Sequence, residues 1–344
     1  MYESFFGLTE RPFELTPNPK YLFLTARQRE ALSTLQYGLF SARPVTLLLG
    51  EAGTGKTTLI HAALASERCS NVRCVYVDNP VLTIDDFVRL LTLRFDLGDD
   101  VNTSKSIMLE RLYLVLRERR ARGEITALVV DEAQSLSTAL LEELRLLANI
   151  ETASEKLLPL VLAGQPELAV KLELNELRQL KQRVTLRCEL APFDLGETAN
   201  YIASRIRIAG GTPITMFSRE AVTLVHHSAR AIPRTINTIC DNALLSAMAL
   251  GRRRVERDIV MSVCRDLRIE AATAPEAARM PEDEADAPNG SSSVAGETGH
   301  VEPEEAPKRS IRTSPERKQQ PAAVRATTWP KRTPFRNQAR IITE

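Results

Sequence analysis

The chain has 344 residues, 43% of them hydrophobic and 26% charged, with a formal net charge of +1, enough apolar content for a sizeable core and enough length for two domains, or one domain with a lid and a tail. The five cysteines, Cys69, Cys74, Cys188, Cys240 and Cys264, form no C-x-x-C pair, which argues against a zinc ribbon or dithiol redox motif and for reduced thiols. No apolar run nears the ~18 residues that span a bilayer, and the N-terminus lacks a basic stretch followed by an apolar one, so a cytoplasmic protein is expected, with peripheral attachment at the inner membrane left open.

Residues 1–25 carry Pro12, Pro17 and Pro19, which argue against a helix, and the aromatics Phe5, Phe6, Phe13, Tyr21 and Phe23, which need burial. An extended arm is expected. Thr25 can cap a helix to about residue 40, with Ala31, Leu32, Leu35 and Leu39 on one face. Residues 1–44 are therefore read as an arm and first helix packed on the core. A β-leaning apolar run, 45–49, comes next.

It ends in Gly50-Glu51-Ala52-Gly53-Thr54-Gly55-Lys56-Thr57-Thr58, a G-x-x-x-x-G-K-[ST] sequence between a strand and a helix. Gly53 and Gly55 tolerate positive φ, so the backbone N–H groups can point inward as an anion nest, and the dipole of the following helix adds to it. In such a loop Lys56 reaches the β- and γ-phosphates and the Thr57 hydroxyl ligates Mg²⁺. The expected ligands are ATP and Mg²⁺, and the arm before the strand can supply a wall of the adenine pocket as well as packing on the core.

Residues 72–77 read as a second strand, and 83–95 and 107–120 as helices. Residues 127–130 then run into Asp131-Glu132, the Walker B pattern: a strand buried on both faces with carboxylates at its C-terminal end, where open α/β sheets place their ligands. Asp131 is expected to hold Mg²⁺ through water, and Glu132 to act as general base on the attacking water. A helix at 137–150 and a strand at 158–165 follow. Gln165 at that strand's end can sense the γ-phosphate or the lytic water, or be a turn residue ahead of Pro166. A helix at 167–182, broken near Asn175, and an alternating strand at 184–190 complete five strand–helix repeats. The fold class is α/β, a P-loop NTPase parallel sheet in a three-layer α/β/α sandwich over 45–194.

From residue 195 the strands stop. Four helical patterns, 196–209, 218–229, 232–250 and 255–268, form a small all-helical lid over 195–268. Periodicity then vanishes, and a disordered charged tail is expected over 269–344. Its acidic first half and basic second half, with Trp329 and Phe335 as anchors, either dock an anionic partner or simply neutralise each other.

The P-loop, the Asp131-Glu132 pair, the polar strand end and the arginine-bearing lid together resemble the AAA+ ATPases over residues 1–268. The arm segments Phe6-Gly7-Leu8, Arg11-Pro12-Phe13 and Thr16-Pro17-Asn18-Pro19, with Asp131-Glu132-Ala133-Gln134, Ala163-Gly164-Gln165-Pro166 and Ile232-Pro233-Arg234, resemble the general secretion pathway protein A (ExeA-like) family. The resemblance implies that Gln165 is similar to sensor 1, Arg183 to the arginine finger, with Arg178 as its competitor, and Arg234 to sensor 2. Arg183 is expected at the sheet edge that carries the P-loop and Asp131. Ala231 stands where the family's lid motif has glycine, and the family's transmembrane and peptidoglycan-binding segments are not expected within these 344 residues.

The expected function is ATP hydrolysis that drives assembly or switching of a secretion, pilus or other envelope machine. The expected partners are further copies in a ring or partial ring and a protein client. A nucleic-acid-associated ATPase of the transposition-regulator type, and a slow-turnover ATP-dependent scaffold, are the rivals.

Overall fold

A computed structural model describes residues 1–16, 18–78, 82–98 and 104–269. The expected tail, but for Ile269, lies outside the described residues.

Five strands, β1 (Val45–Gly50), β2 (Val72–Val77), β3 (Ile125–Val130), β4 (Leu160–Gly164) and β5 (Val184–Leu190), form one parallel sheet in the order β2-β3-β4-β1-β5. The three inner strands are buried at every position, whereas edge strands β2 and β5 mix buried and open positions. The inner runs are apolar but for Thr46 and Thr126, because both faces are covered. Successive side chains go to opposite faces. Val45, Leu47 and Leu49 join one cluster with Leu128 and Val130, while Leu48 joins another with Ala127 and Val129.

Helices α2 (Ala26–Phe40) and α3 (Lys56–Leu64) cover the second face through Leu35, Leu39, Leu59 and Ile60. Helices α4 (Ile84–Phe95), α5 (Lys105–Ala121) and α6 (Thr138–Leu147) cover the first through Phe87, Leu112 and Leu144. Polar side chains cap three of these helices, Thr25 for α2, Thr83 for α4 and Ser137 for α6. Thr25 Oγ1 accepts from the Gln28 N–H at 3.2 Å, and Gln28 Oε1 accepts from the Thr25 N–H at 3.1 Å. The helical stretch expected over 167–182 divides into α7 (Pro166–Lys171) and α8 (Arg178–Lys181), with a 3₁₀ turn at Asn175–Leu177. The sequence stopping signal at Asn175 is thus a real break.

Five helices, α9 (Leu195–Ile208), α10 (Pro213–Met216), α11 (Arg219–Ser228), α12 (Pro233–Ala249) and α13 (Arg257–Asp266), enclose a third apolar cluster. The arm belongs to this cluster. Its residues 2–6 form a short helix, α1 (Tyr2–Phe6), and Tyr2, Leu8 and Phe13 are buried with Phe193, Phe217 and Ile239. The Tyr2 hydroxyl donates to Asp241 on α12, and the Phe13 and Phe217 rings meet edge-on at 6.1 Å. Two expectations are corrected here: the arm is not wholly extended, and its aromatics pack on the helical lid, not on the α/β core. The lid supplies the reason. Its apolar cluster offers aromatic partners: Phe23 meets the rings of Phe193 and Tyr201, as Phe13 meets Phe217.

Arg230 and Ala231, just before α12, both have positive φ, 49° and 57°. This explains why a glycine suits position 231 and what alanine costs there, of order 1–2 kcal/mol. Ala231→Gly relieves that strain, but it removes a buried methyl and loosens the unfolded chain, so its net effect stays within about 1 kcal/mol. Ala231→Val adds a β-branched side chain to a left-handed, 5% exposed position. It is expected to destabilise by about 2 kcal/mol or more, lowering Tm by several degrees in thermal unfolding followed by circular dichroism. An unchanged Tm for the valine variant contradicts this account of the corner.

Candidate nucleotide site

The P-loop leaves β1 at Gly50 and turns through Gly53 (φ 84°) and Gly55 (φ 99°) into α3. The N-cap position of α3 is Gly55, which has no side chain to satisfy the helix's first N–H groups. The loop braces itself: Thr54 Oγ1 donates to the Glu51 carbonyl oxygen at 2.8 Å. Lys56 is buried, and its Nζ donates to the Gly50 and Glu51 carbonyl oxygens at 2.8 and 3.2 Å. Neutral carbonyls hold an ammonium less strongly than a phosphate oxygen does, so an anion in the nest can recruit it. Glu51, Ala52 and Thr58 complete the loop and the first turn.

Thr57 Oγ1 donates to Asp131 Oδ2 at 2.6 Å, so the loop and the end of β3 meet. These are hard oxygen donors, one hydroxyl and one carboxylate. That set suits Mg²⁺, which binds through one or two carboxylates together with a substrate's phosphates. Tyr76 on β2 also donates to Asp131 Oδ2, at 2.6 Å, and His61 of α3 stacks on the Tyr76 ring at 5.4 Å. Burial and then the bond to Asp131 push the Tyr76 pKa well up, so the hydroxyl keeps the proton it donates. Tyr76 follows from register alone: Val77 pairs with Val130, one residue before Asp131.

Glu132 sits in a left-handed conformation, φ 52°, beside Asp131. Its Oε2 accepts from Gln134 Nε2 at 2.6 Å and from Gln165 Nε2 at 3.5 Å. Gln134 Oε1 in turn accepts from the Gln165 backbone N–H at 3.1 Å. Gln134 therefore ties the ends of β3 and β4 together, a task that a strand-end glutamine does not announce in sequence. Gly164 pairs with Leu49, so Gln165 lies at the same sheet edge as the P-loop.

The lid closes over the loop at one point. The Arg234 backbone N–H donates to the Gly53 carbonyl oxygen at 3.2 Å, and a Cβ added to Gly53 would lie 2.7 Å from Arg234 Cβ. Gly53 is thus required twice, for its positive φ and for the approach of α12. P-loop, Glu132 and Arg234 line one cleft of about 410 Å³ together with arm residues Tyr21 and Phe23 and lid residues Tyr201 and Arg205. The arm therefore packs on the lid and lines the cleft as well.

Arg183 stands elsewhere. Val184 pairs with Val45 at the start of β1, so Arg183 is at the sheet edge opposite Gly50, roughly 17 Å away by strand rise. The expected placement beside Asp131 is corrected. Strands of a parallel sheet all end on one edge, and a residue that precedes a strand lies on the other. Arg178, at the start of α8, belongs to the same preceding segment.

The profile of the AAA domain matches residues 40–172. General secretion pathway protein A of Aeromonas hydrophila is 40% identical over 255 residues, covering 74% of this chain and 46% of that protein. The chain belongs to the general secretion pathway protein A family of AAA proteins. It spans about half the length of that relative. Among solved structures, the ORC2 protein of Aeropyrum pernix (ADPNP-ADP complexes) matches with a TM-score of 0.57 at 17% identity, covering 77% of this chain and 73% of that one. The ORC1 protein of Aeropyrum pernix in complex with DNA matches with a TM-score of 0.54 at 20% identity, covering 75% and 69%. Both likenesses are of the P-loop NTPase fold, which for this family member is the parallel sheet and helical lid described above. Among its described residues, no helix is long and apolar enough to cross a membrane.

Proposed function

We propose that the chain binds and hydrolyses Mg-ATP and uses the cycle to drive assembly or switching of a secretion, pilus or other envelope machine. The observation that carries the ATPase reading is the convergence of Lys56, Thr57, Asp131 and Glu132 on one sheet edge beneath the lid. In this reading Gly50, Glu51, Ala52, Gly53, Thr54, Gly55 and Thr58 shape the phosphate nest, and Lys56 pairs with the β- and γ-phosphates. Thr57 holds Mg²⁺ directly and Asp131 holds it through water; the ion, when bound, neutralises charge on the phosphates. Glu132 takes a proton from the attacking water, Gln165 senses the γ-phosphate and Arg234 reports its presence to the lid. Arg183 belongs to the neighbouring copy's site in a ring or partial ring.

The envelope role rests on 40% identity to a general secretion pathway protein. In this reading the protein works in the cytoplasm, peripheral to the inner membrane, on a protein client of an envelope or secretion complex. A nucleic-acid-associated ATPase is the second reading, favoured by likeness to a protein whose structure was solved in complex with DNA.

Lys56→Ala is expected to weaken nucleotide binding by about a hundredfold or more, since it removes the loop's charge-assisted donor. Titration of a fluorescent ATP analogue measures this. Affinity equal to wild type removes the nucleotide reading. Phosphate release with and without duplex DNA then separates the two roles: stimulation by DNA selects the second. Binding with near-zero turnover under both conditions selects an ATP-dependent scaffold.

A further inference from the structure

Arg205 of α9 lines the nucleotide cleft and is 6% exposed. Its guanidinium carbon lies 4.9 Å from the centroid of the Tyr21 ring, on the arm, and 5.2 Å from that of Tyr201, one helical turn away. Both rings attract the cation through their faces. Nε and Nη1 have no hydrogen-bond partner among the described residues. The nearby acceptor on α12, Asn237 Oδ1, already accepts from the Tyr201 hydroxyl at 2.9 Å.

A buried guanidinium with idle N–H groups is destabilising, and a fold keeps one where something completes it. An arginine side chain only donates, so the missing partner is an acceptor. In this cleft the phosphates of a nucleotide are already provided for, by the loop N–H groups and Lys56. The acceptors that remain on a nucleotide are those of its base and sugar. Phe23 adds an apolar ring to the same wall, 5.6 Å from Tyr201 and 5.9 Å from Phe193, as a flat aromatic ligand requires. We propose that Arg205 is a specificity-determining residue of the cleft, donating a hydrogen bond from its guanidinium to a ring nitrogen of the purine base. The neighbouring tyrosines hold its plane, so the donor is fixed before the base arrives.

This inference rests on the nucleotide reading, and the test separates the two. Wild-type protein is titrated with a ribose-labelled fluorescent ATP, and ATP, 1-deaza-ATP, 3-deaza-ATP, 7-deaza-ATP and 2′-deoxy-ATP compete with it. Each deaza analogue replaces one ring nitrogen by C–H. One of the three is expected to bind about tenfold or more weakly than ATP, the worth of one hydrogen bond to a charged donor. Arg205→Met is expected to lose a similar factor for ATP and to bind that analogue and ATP alike. Wild-type affinities equal for all three analogues overturn the proposal, as does a loss confined to 2′-deoxy-ATP. An Arg205→Met protein that still discriminates like wild type overturns it too. The wild-type series decides the matter even if the variant does not fold. If Lys56→Ala binds ATP as wild type does, the nucleotide reading falls and takes the Arg205 assignment with it.

Discussion

Glu132→Gln is expected to bind ATP with wild-type affinity and to hydrolyse it about 10²–10⁴-fold more slowly. The substitution keeps the size of the side chain and both glutamine neighbours. In the wild-type site Gln134 and Gln165 both donate toward Glu132 Oε2, which orients the carboxylate and leaves its other oxygen without a bond from either of them. A glutamine at 132 can satisfy the same two donors through its carbonyl oxygen, so the network survives. It cannot take a proton from water. Asp131→Asn has a different signature, a weaker dependence of binding on Mg²⁺, because Asp131 shares its oxygen with the Thr57 hydroxyl. Single-turnover phosphate release beside equilibrium binding separates these effects. Wild-type turnover by Glu132→Gln places the general base on another residue.

Arg183→Ala is expected to reduce turnover about 10³-fold while each subunit's own cleft stays intact. The register makes the reason geometric. Arg183 lies at the sheet edge opposite its own P-loop, too far for an arginine side chain to serve in cis. The same placement leaves it free to face a neighbour, where a cation can neutralise charge on a γ-phosphate in transfer. Mixing supplies the decisive measurement. Arg183→Ala and Glu132→Gln are each nearly inactive on this hypothesis, and mixed oligomers regain activity at interfaces that pair an intact base with an intact arginine. Confirmed mixed oligomers without recovery, or full activity of Arg183→Ala alone, remove the assignment and leave Arg178 as the candidate on the same segment.

What the sequence revealed and what it hid follow one physical division. Strands such as Val45–Gly50 and Ile125–Val130 are apolar but for Thr46 and Thr126, because both faces are covered, and the P-loop needs its glycines at fixed spacing. Both are local facts, so both were readable. Register is not local. It decides that Tyr76 reaches Asp131, and that Arg183 lies away from the carboxylates it seemed to adjoin. Partner choice over long separations is hidden in the same way. Tyr2 and Phe13 announce a need for burial but not the lid as its place. Arg205 reads as one more charge on an amphipathic helix until α9 is set against the arm.

The arm's place on the lid also fixes a timetable. Tyr2 leaves the ribosome 239 positions ahead of its partner Asp241. At roughly 5–20 residues per second, synthesis of the intervening chain takes on the order of ten to fifty seconds. Through that interval Tyr2 lacks the α12 partner that completes its burial, so the nascent chain carries an incompletely covered aromatic segment. A gene fragment that stops before α12 makes the interval permanent, and its product is expected to aggregate even though every strand of the sheet is present.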